Sequence, residues 1–454
     1  MRSIAPLNAY RNHSRSPILP MIVVLISILC VLPSLLSAQG DRWGVVETPN
    51  SPPVLFGHTL VLIDGHIFLF GGQAGATQSV LFNTLWIFDP DENDWILETP
   101  ANEPPPARQG HCAVAHDGKL IILHGRGELN PNLNDVWVYD PADKTWRNVE
   151  LDNGPPGRVD ASAVVIAGRI LLFGGRTGDG SQVFGDVWSF DPQTEQWEQK
   201  NRISQGYERF GHSVMPLDDE MMYVFGGHGQ APLNDMWVYH AGSDSWSIFL
   251  AQGESPSART LHASTHAAGL MWIFGGTTSW SAQTGKSRQP SFSDESLSDT
   301  WVFDASTNGW ARRTDMSQGL IQAASSITRT PNRIILFGGR DPDSTAVNQT
   351  AEYENEDTAV RTDAQRPLGF ALSQNVPNPF NPQTTIAFCV KQTCHVRLRV
   401  FDTLGREVAV LADAIHSPGE YRQTFQARGL SSGVYLYRIE MGGVQAVKKM
   451  ILLE

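Results

Sequence analysis

The sequence predicts an all-β protein: a six-bladed β-propeller closed by the N-terminal strand, followed by a small C-terminal β-sandwich. Three observations predict this fold. Short apolar stretches alternate with turn-forming residues along most of the chain. A pattern of about fifty residues recurs, as in proteins built from repeated small sheets. At 454 residues the chain also exceeds one ordinary core, so at least two domains are expected.

The repeated unit is clearest between Phe210 and Trp246. Two short strands lead to a glycine doublet, Gly226-Gly227, where the missing Cβ permits close packing or a positive φ. A third strand carries Trp237, and Trp246 marks a fourth. Two large aromatic side chains in one small sheet favour packing against a neighbouring sheet.

Copies of the unit are recognised by these same residues. Doublets stand at Gly71-Gly72, Gly174-Gly175, Gly226-Gly227, Gly275-Gly276 and Gly338-Gly339, with an altered copy at Gly125-Arg126. The third-strand tryptophans are Trp86, Trp137, Trp188, Trp237 and Trp301, and the fourth-strand ones are Trp95, Trp146, Trp197, Trp246 and Trp310. The last doublet lacks a following fourth-strand Trp, whereas Trp43 precedes the first doublet. We therefore expect the segment around Trp43 to complete the sixth sheet and close the ring, which protects the sheet edges.

These residues resemble the kelch family of β-propellers, including the lead-in Arg209-Phe210-Gly211-His212 before a first strand. The resemblance covers roughly 41 to 356 and implies a six-bladed, galactose oxidase-like propeller over residues 39–356. It does not imply one activity, because related propellers serve both as binding modules and as enzymes.

The N-terminus has the pattern of a secretory signal peptide over residues 1–38. Three arginines precede an apolar run from Met21 to Leu36, and small residues follow near Ala38. The run is short for a membrane span, so we expect no transmembrane anchor in the mature chain. A formal net charge of −13 argues against nucleic acid or an anionic membrane as the main partner.

A polar segment, residues 357–371, is expected to link the propeller to a second β domain at 372–454. That domain carries several short motifs in order: Asn378, Pro379, Phe380, Asn381 and Pro382, then Gly405 and Arg406, then Ser432, Gly433 and Tyr435, then Lys449. These motifs resemble the C-terminal sorting domain of the bacterial type IX secretion system (the Por secretion family). The resemblance implies a Bacteroidetes-type bacterium, export by Sec and then type IX secretion, and the outer-membrane machinery as a partner. The mature protein would be secreted or attached to the cell surface. An accessory sandwich without an export role is the alternative.

Cysteine usage leaves one question open. Cys112 lies on an apolar first strand, where a buried free thiol is expected. Cys389 and Cys394 flank a short turn and are candidates for a hairpin disulfide in an exported protein, although free thiols are equally compatible with the sequence.

An Arg and an Asp recur together at one end of the repeats. The arginines are Arg108, Arg158, Arg209 and Arg259, and the aspartates are Asp135, Asp186, Asp235 and Asp299. Leu55 and approximately Ile321 replace the Arg in the first and sixth repeats, and the Asp is missing there too, with Thr84 in the first. We therefore predict structural Arg–Asp pairs within a blade or across to the next. A basic ligand-binding ring is the alternative.

Residues that interrupt the repeat are the better candidates for ligand binding. His124 and Arg126 are expected where other copies have Phe and Gly, whereas Arg176, His228 and Arg340 directly follow their doublets. Trp280 lies in the long loop 277–298. Such a rim on an acidic body suits a carbohydrate or a carboxylate-bearing ligand.

Signatures of hydrolases, P-loop proteins and zinc enzymes are missing from the sequence, and we expect neither a cofactor nor a metal. The favoured function is an exported binding protein that holds a glycan or protein at the loop-rich propeller face. The alternative is a carbohydrate-acting enzyme, of isomerase, mutarotase or oxidase type, on the same propeller; the catalytic residues would then be unknown.

Overall fold

The computed structural model describes residues 41–75, 80–151, 153–217, 219–279, 296–328, 333–343 and 345–355, and, towards the C-terminus, 372, 375, 377–390, 393–402, 406–417, 419–441 and 444–453. Every regular element within these ranges is a β-strand. The predicted signal peptide, the linker, Trp280 and Gly405 lie outside the described residues.

Six four-stranded antiparallel sheets, named I to VI here, occupy the first part of the described chain. Sheet I contains β2 (Thr59–Ile63), β3 (His66–Phe70), β6 (Leu85–Asp89) and β7 (Asp94–Leu97). Sheet II contains β9 (Cys112–His116), β10 (Lys119–Gly127), β11 (Leu133–Asp140) and β12 (Thr145–Val149), with β8 (Arg108–Gln109) paired to the end of β10. Sheet III contains β13 (Ser162–Ile166), β14 (Arg169–Phe173), β15 (Val187–Asp191) and β16 (Gln196–Lys200). The short strands β4 (Gln73–Ala74) and β5 (Val80–Leu81) pair with each other.

The remaining three sheets repeat the same order. Sheet IV contains β17 (Ser213–Leu217), β18 (Met221–Phe225), β19 (Met236–His240) and β20 (Ser245–Phe249). Sheet V contains β21 (Ala263–Ala267), β22 (Leu270–Phe274), β23 (Thr300–Asp304) and β24 (Gly309–Arg313). Sheet VI contains β25 (Ala324–Ile327), β26 (Arg333–Phe337) and β27 (Thr350–Glu354), and its outer strand is β1 (Arg42–Val45). Trp43 is paired with Tyr353, as the sequence predicted for the closing strand.

The second strand of each sheet is the most deeply buried. The last four residues are all buried in β3, β14, β18, β22 and β26. Successive side chains of a strand point to opposite faces of the sheet, so both faces are covered at these strands. A continuous apolar run is required when both faces of a sheet are covered. The adjoining sheets on either side supply that cover.

Aromatic contacts join five of the six sheets to the sheet before them. The fourth-strand Trp packs against the Phe that ends the second strand of the preceding sheet, with ring centroids 4.7 to 5.3 Å apart: Trp146–Phe70, Trp246–Phe173, Trp310–Phe225, Trp43–Phe274 and Trp95–Phe337. Trp43 thereby joins sheet VI to sheet V, and Trp95 joins sheet I to sheet VI. The first strands also neighbour one another in the cyclic order β2, β9, β13, β17, β21, β25 and back to β2. These contacts support the predicted ring of six blades; the domain boundaries stay predictions.

The C-terminal part forms two further sheets. One pairs β28 (Gln383–Val390) with β31 (Gly419–Gln426), and the other has the order β30 (Glu407–His416), β29 (Cys394–Phe401), β32 (Gly433–Met441), β33 (Val444–Leu452). Both sheets contribute to a single core that includes Phe388, Leu398 and Tyr437. A core shared by two sheets fits the predicted small sandwich.

Of the two alternatives left open for the cysteines of this domain, the structure has a free thiol at Cys394. The strands of the two cysteines are not hairpin partners: Cys389 on β28 pairs with Glu420, whereas Cys394 on β29 pairs with His416 in the other sheet.

Candidate ligand-binding mouth of the propeller

A closed ring of backbone hydrogen bonds surrounds one end of the axis. It consists of six lead-in residues, and each N–H donates to the carbonyl of its equivalent in the preceding sheet over 2.8 to 3.0 Å: Gly57, Gly110, Asp160, Gly211, Leu261 and Gln322. All six have positive φ, from 54° to 65°. We call this ring the mouth. Its continuity from Gln322 back to Gly57 shows that the sixth sheet lies beside the first.

The predicted Arg–Asp pairs are present just outside the mouth, and each lies within one blade. Arg209 donates through Nη1 to Asp235 Oδ1 at 2.7 Å and through Nη2 to Oδ2 at 2.9 Å. The other three pairs have the same two-pronged geometry: Arg108–Asp135, Arg158–Asp186 and Arg259–Asp299. None of these four arginines is exposed to solvent. They brace each blade internally and are not presented to a ligand.

Each of these aspartates also fixes the third-strand Trp. Trp237 Nε1 donates to Asp235 at 2.7 Å, and the corresponding bonds recur in sheets II, III and V. Burial pushes the pKa of Asp235 upward, but the hydrogen bonds and charge of Arg209 outweigh it, so the pKa lies below its ordinary value. The carboxylate therefore stays ionised.

Sheets I and VI lack this arrangement. In sheet I, Leu55 and Thr84 stand in the places of the Arg and the Asp, and Trp86 Nε1 is buried without a hydrogen-bond partner. In sheet VI the Arg position belongs to Leu320 and not to Ile321, because Gly276 N donates to Leu320 O as Gly227 N donates to Arg259 O. The sequence alignment was one residue out there.

The structure also corrects the interpretation of His124. Its φ of 61° and that of Gly125, 105°, match those of Gly71 and Gly72, 68° and 100°, so His124 replaces the first glycine of the doublet and not a Phe. His124 is fully buried, and its ring lies 6.1 Å from Trp197. Burial lowers the pKa of His124 to about 3. The residue belongs to the core and not to a binding rim.

A compensation explains why a His is tolerated in a glycine position. In sheet III a Cβ on Gly174 would lie 2.8 Å from the ring of His212, the lead-in His of the following sheet. The sheet that follows His124 has Ala161 at that lead-in position. The imidazole of His124 therefore fills the space that, in sheet III, is filled by the lead-in His of the following sheet.

The residues that follow the doublets surround the mouth. Each of them forms a backbone β-bridge with the residue that directly precedes the mouth residue of the same sheet. The six residues after the doublets are Gln73, Arg126, Arg176, His228, Thr277 and Arg340. The structure thus brings four of the predicted ligand residues, Arg126, Arg176, His228 and Arg340, to equivalent places. We call these six residues the rim.

Aromatic rings and one carboxylate position the rim cations. Arg176 donates through Nε and Nη2 to Asp160 at 3.0 and 2.7 Å, and its guanidinium lies 5.0 Å from the ring of Phe210. His228 stacks on the same Phe210 at 5.3 Å. Arg340 lies 3.6 Å over the ring of another aromatic residue, Phe56. Cations held over aromatic faces in this way are oriented before any ligand arrives.

Asp160 was missed by sequence reasoning. It occupies a mouth position that is glycine in three other sheets, and it pairs with Arg176 in the same sheet. Asp160 and Arg176 both depart from the residue types of the other repeats, and this shared departure within one sheet could have revealed the pair from the sequence.

Burial also affects the ionisation of the rim. It lowers the pKa of His228 and lowers that of Arg340 to about 10.

Comparison with known proteins follows the same division of the chain. Residues 57–276 match the family model described as the KLHDC2/KLHL20/DRC7 Kelch-repeats domain. Residues 376–453 match the Secretion system C-terminal sorting domain, the Por secretion tail. The chain carries kelch repeats and a secretion sorting domain. Both resemblances drawn from the motifs are confirmed.

Similar curated proteins match about half of this chain. Kelch domain-containing protein 3 of Rattus norvegicus is 29% identical over 253 residues, which are 51% of this chain and 63% of that protein. The Leucine-zipper-like transcriptional regulator 1 homolog of Drosophila melanogaster is 28% identical over 273 residues, 56% of this chain and 28% of that protein. Acyl-CoA-binding domain-containing protein 4 of Arabidopsis thaliana is 27% identical over 238 residues, 49% of this chain and 35% of that protein. The chain therefore spans less than two thirds of the length of these relatives.

In the sorting domain, the Asn-Pro-Phe-Asn-Pro motif is attached to the last strand. Phe380 is buried, its N–H donates to Ile451 O, and its carbonyl accepts from Leu453 N, both at 2.9 Å. Asn378 Oδ1 accepts from Ile451 N at 2.9 Å. The first motif of the domain thus contacts the end of its last strand, and Asn378 and Phe380 have a structural role.

The other sorting motifs lie at turns and strand ends. Arg406 Nε donates to Asp402 at 2.7 Å, and the Tyr435 hydroxyl donates to Ser431 O at 2.8 Å. Ser432 and Gly433 are exposed at the start of β32, and Lys449 is exposed on β33. The domain implies engagement with the type IX secretion machinery and secretion or attachment to the cell surface.

Among the described residues there is no helix that is long and apolar enough to span a membrane. The same residues contain no group of three or more His, Cys, Asp or Glu side chains placed to hold a metal ion.

Proposed function

We propose that this protein is an exported binding protein whose kelch propeller holds a glycan or a protein at the mouth, and whose C-terminal domain directs it to the cell surface or the medium. Export by a Sec signal peptide over residues 1–38, in a Bacteroidetes-type bacterium, is part of the proposal. The observation that supports it most is the rim: Arg126, Arg176, His228 and Arg340 share one end of the axis although they come from four different sheets.

The chemistry of the rim indicates a ligand with carboxylate groups, such as an acidic glycan or an acidic protein segment. Guanidinium groups recognise carboxylates through paired hydrogen bonds. The chain as a whole is acidic, with a formal net charge of −13, so three arginines around the mouth stand out against their surroundings. Arg340 is buried and Arg176 is paired with Asp160, whereas Arg126 is partly exposed and is the rim cation on which the test is made.

A carbohydrate-acting enzyme on the same propeller stays the alternative. Acid–base catalysis needs two titratable groups within reach of one substrate. His266 lines the axial cavity and belongs to no repeat, and His58, His262 and Cys112 line the cavity as well. Burial lowers the pKa of His266 to about 4 and that of His58 and His262 to about 3, and it raises the pKa of Cys112 to about 12. These groups are therefore poorly matched to acid–base work near pH 7, and we favour binding.

The test is a glycan array probed with the exported form of the protein, comparing wild type with Arg126→Ala. We expect binding to acidic glycans to fall at least tenfold in the variant. Arg202→Ala, which removes a solvent-exposed Arg paired with Glu208, is the matched control and should bind normally. Equal binding by wild type and Arg126→Ala would contradict the assignment of the rim, and turnover of a free sugar without retention on the array would favour the enzyme.

A further inference from the structure

The axis of the propeller contains a cavity of about 520 Å³. It is lined by the first strands of all six sheets, from the level of His58 near the mouth to the level of Leu62 and His266. Four residues of extended chain span about 13 Å at ~3.3 Å per residue. The volume is in the range of sites that bind small molecules, about 300–1,000 Å³.

The cavity has two chemically different walls. On sheets V and VI the lining includes five polar residues below the lead-in level, with Ile327 as an apolar exception beside them: Ser264, Thr265, His266, Ser325 and Ser326. The same positions on sheets I to III are apolar: Leu60, Val61, Leu62, Ala113, Val114, Ala115, Ala163, Val164 and Val165. The first strands follow one another in ring order, so sheets II and III lie across the axis from sheets V and VI.

The polar wall interrupts the repeat. At the level of His266 the other five sheets have Leu62, Ala115, Val165, Pro216 and Ile327. A packed first strand needs no imidazole at this place, because five sheets are built without one. Residues that all sheets share serve the architecture. Polar residues on one side of the axis only, as here, make one wall of the cavity chemically different from the opposite wall.

The lining carries no formal charge. The residues around the cavity include no Asp, Glu, Lys or Arg. Burial lowers the pKa of His266 to about 4, and that of His58 and His262 to about 3, so these imidazoles are neutral near pH 7. Transfer of an ion into such a cavity is costly, so the cavity selects against charged molecules.

We propose that the axial cavity is a binding site for a small uncharged sugar or polyol, with hydroxyl groups towards Ser264, Thr265 and His266 and its hydrocarbon side towards sheets I to III. The site is separate from the rim and takes ligands of the opposite kind, neutral and small. The proposal does not depend on the proposed function of the mouth.

Saturation-transfer NMR on the exported form of the protein tests the proposal, with D-glucose and L-rhamnose as probes. Both should receive saturation, and rhamnose should give the larger signal, because its methyl group suits the apolar wall. Thr265→Val keeps the shape of the side chain and removes only the hydroxyl, and Ala115→Leu fills the cavity from the opposite side. We expect either change, and also His266→Leu, to lower the signal at least fivefold.

Controls separate the cavity from the mouth and from unfolding. Arg126→Ala should leave the sugar signals unchanged, and circular dichroism melting should show that Thr265→Val is folded. Absence of transfer to both sugars in wild type, or equal signals in wild type and folded Thr265→Val, would overturn the proposal. Loss of signal in Arg126→Ala would also overturn it, because the sugars would then bind at the mouth.

Discussion

The guanidinium of Arg209 and the carboxylate of Asp235 form two parallel hydrogen bonds, of 2.7 and 2.9 Å, in a place where the arginine has no solvent exposure. The same guanidinium donates to Tyr207 O and Gly226 O, so one side chain joins the lead-in segment, the doublet and the third strand. Four of the five N–H donors of this buried group are used in these bonds, and removal of one partner is costly.

Replacement of Arg209 tests this role. Arg209→Ala leaves the carboxylate of Asp235 partly buried and without its cation, and we expect the free energy of unfolding to fall by about 2–4 kcal/mol. Urea denaturation measures the change. The matched control is Arg202→Ala, which removes an exposed Arg with an equally short contact to Glu208, 2.6 Å, and should cost less than about 1 kcal/mol. Equal losses would show that burial does not matter here.

Sheet I offers the reverse experiment. Leu55 and Thr84 occupy the Arg and Asp positions, and Trp86 Nε1 lacks an acceptor. Leu55→Arg or Thr84→Asp alone buries an uncompensated charge and should destabilise the protein. The double variant should restore the pair and supply the acceptor for Trp86, with a coupling energy above about 1.5 kcal/mol in a double-mutant cycle. Additive effects would mean that sheet I cannot adopt the geometry of the other sheets.

Buried histidines predict a loss of stability in acid. The pKa of His58 and of His262 is about 3 in the folded protein, against an ordinary 6.5, because burial disfavours the charged imidazole. The unfolded chain therefore binds more protons below pH 6.5, and stability that is complete above pH 6.5 is lost as the pH falls towards 3. Each such His contributes up to about 1.4 kcal/mol per pH unit.

Urea denaturation between pH 7.5 and 4.5 measures this slope. His262→Gln should reduce it by the contribution of one proton. The Arg-paired carboxyls interfere little in this range, because the pKa of Asp235 is lowered and its contribution to stability is lost mainly as the pH falls below its ordinary value of 3.8. A slope that is identical in wild type and His262→Gln would contradict the prediction.

Closure by the N-terminal strand predicts a large effect of Trp43. Its ring packs against Phe274 and Tyr353, and its Nε1 donates to Thr314 O at 2.9 Å. Trp43→Ala should lower the free energy of unfolding by about 3 kcal/mol. Val45→Ala in the same strand, where the side chain is 56% exposed, should change it by less than about 0.5 kcal/mol. If thermal melting gave the same shift for both, the strand would not hold the ring closed.

Much of this arrangement was predicted from the sequence because the repeat supplies its own comparison. The equivalents of Arg209 and Asp235 are both present in four repeats and both absent from the other two, so their pairing could be predicted from residue types alone. The closing role of Trp43 followed from one surplus and one missing fourth strand. His124 was misplaced, because residue identity does not report φ, and only φ shows that a His occupies a glycine position.

The sequence by itself determined the number and order of the strand sets, the blade-bracing pairs and the presence of the sorting domain, because each is written in residues close together in a repeat or a motif. Tertiary structure alone decided what surrounds the axis. Arg126, Arg340 and Asp160 lie around one mouth, and His266 lies across the axis from an apolar wall, because ring closure brings to one axis residues that lie far apart in the chain. Chain distance carries no record of that geometry, since it is fixed by packing between sheets.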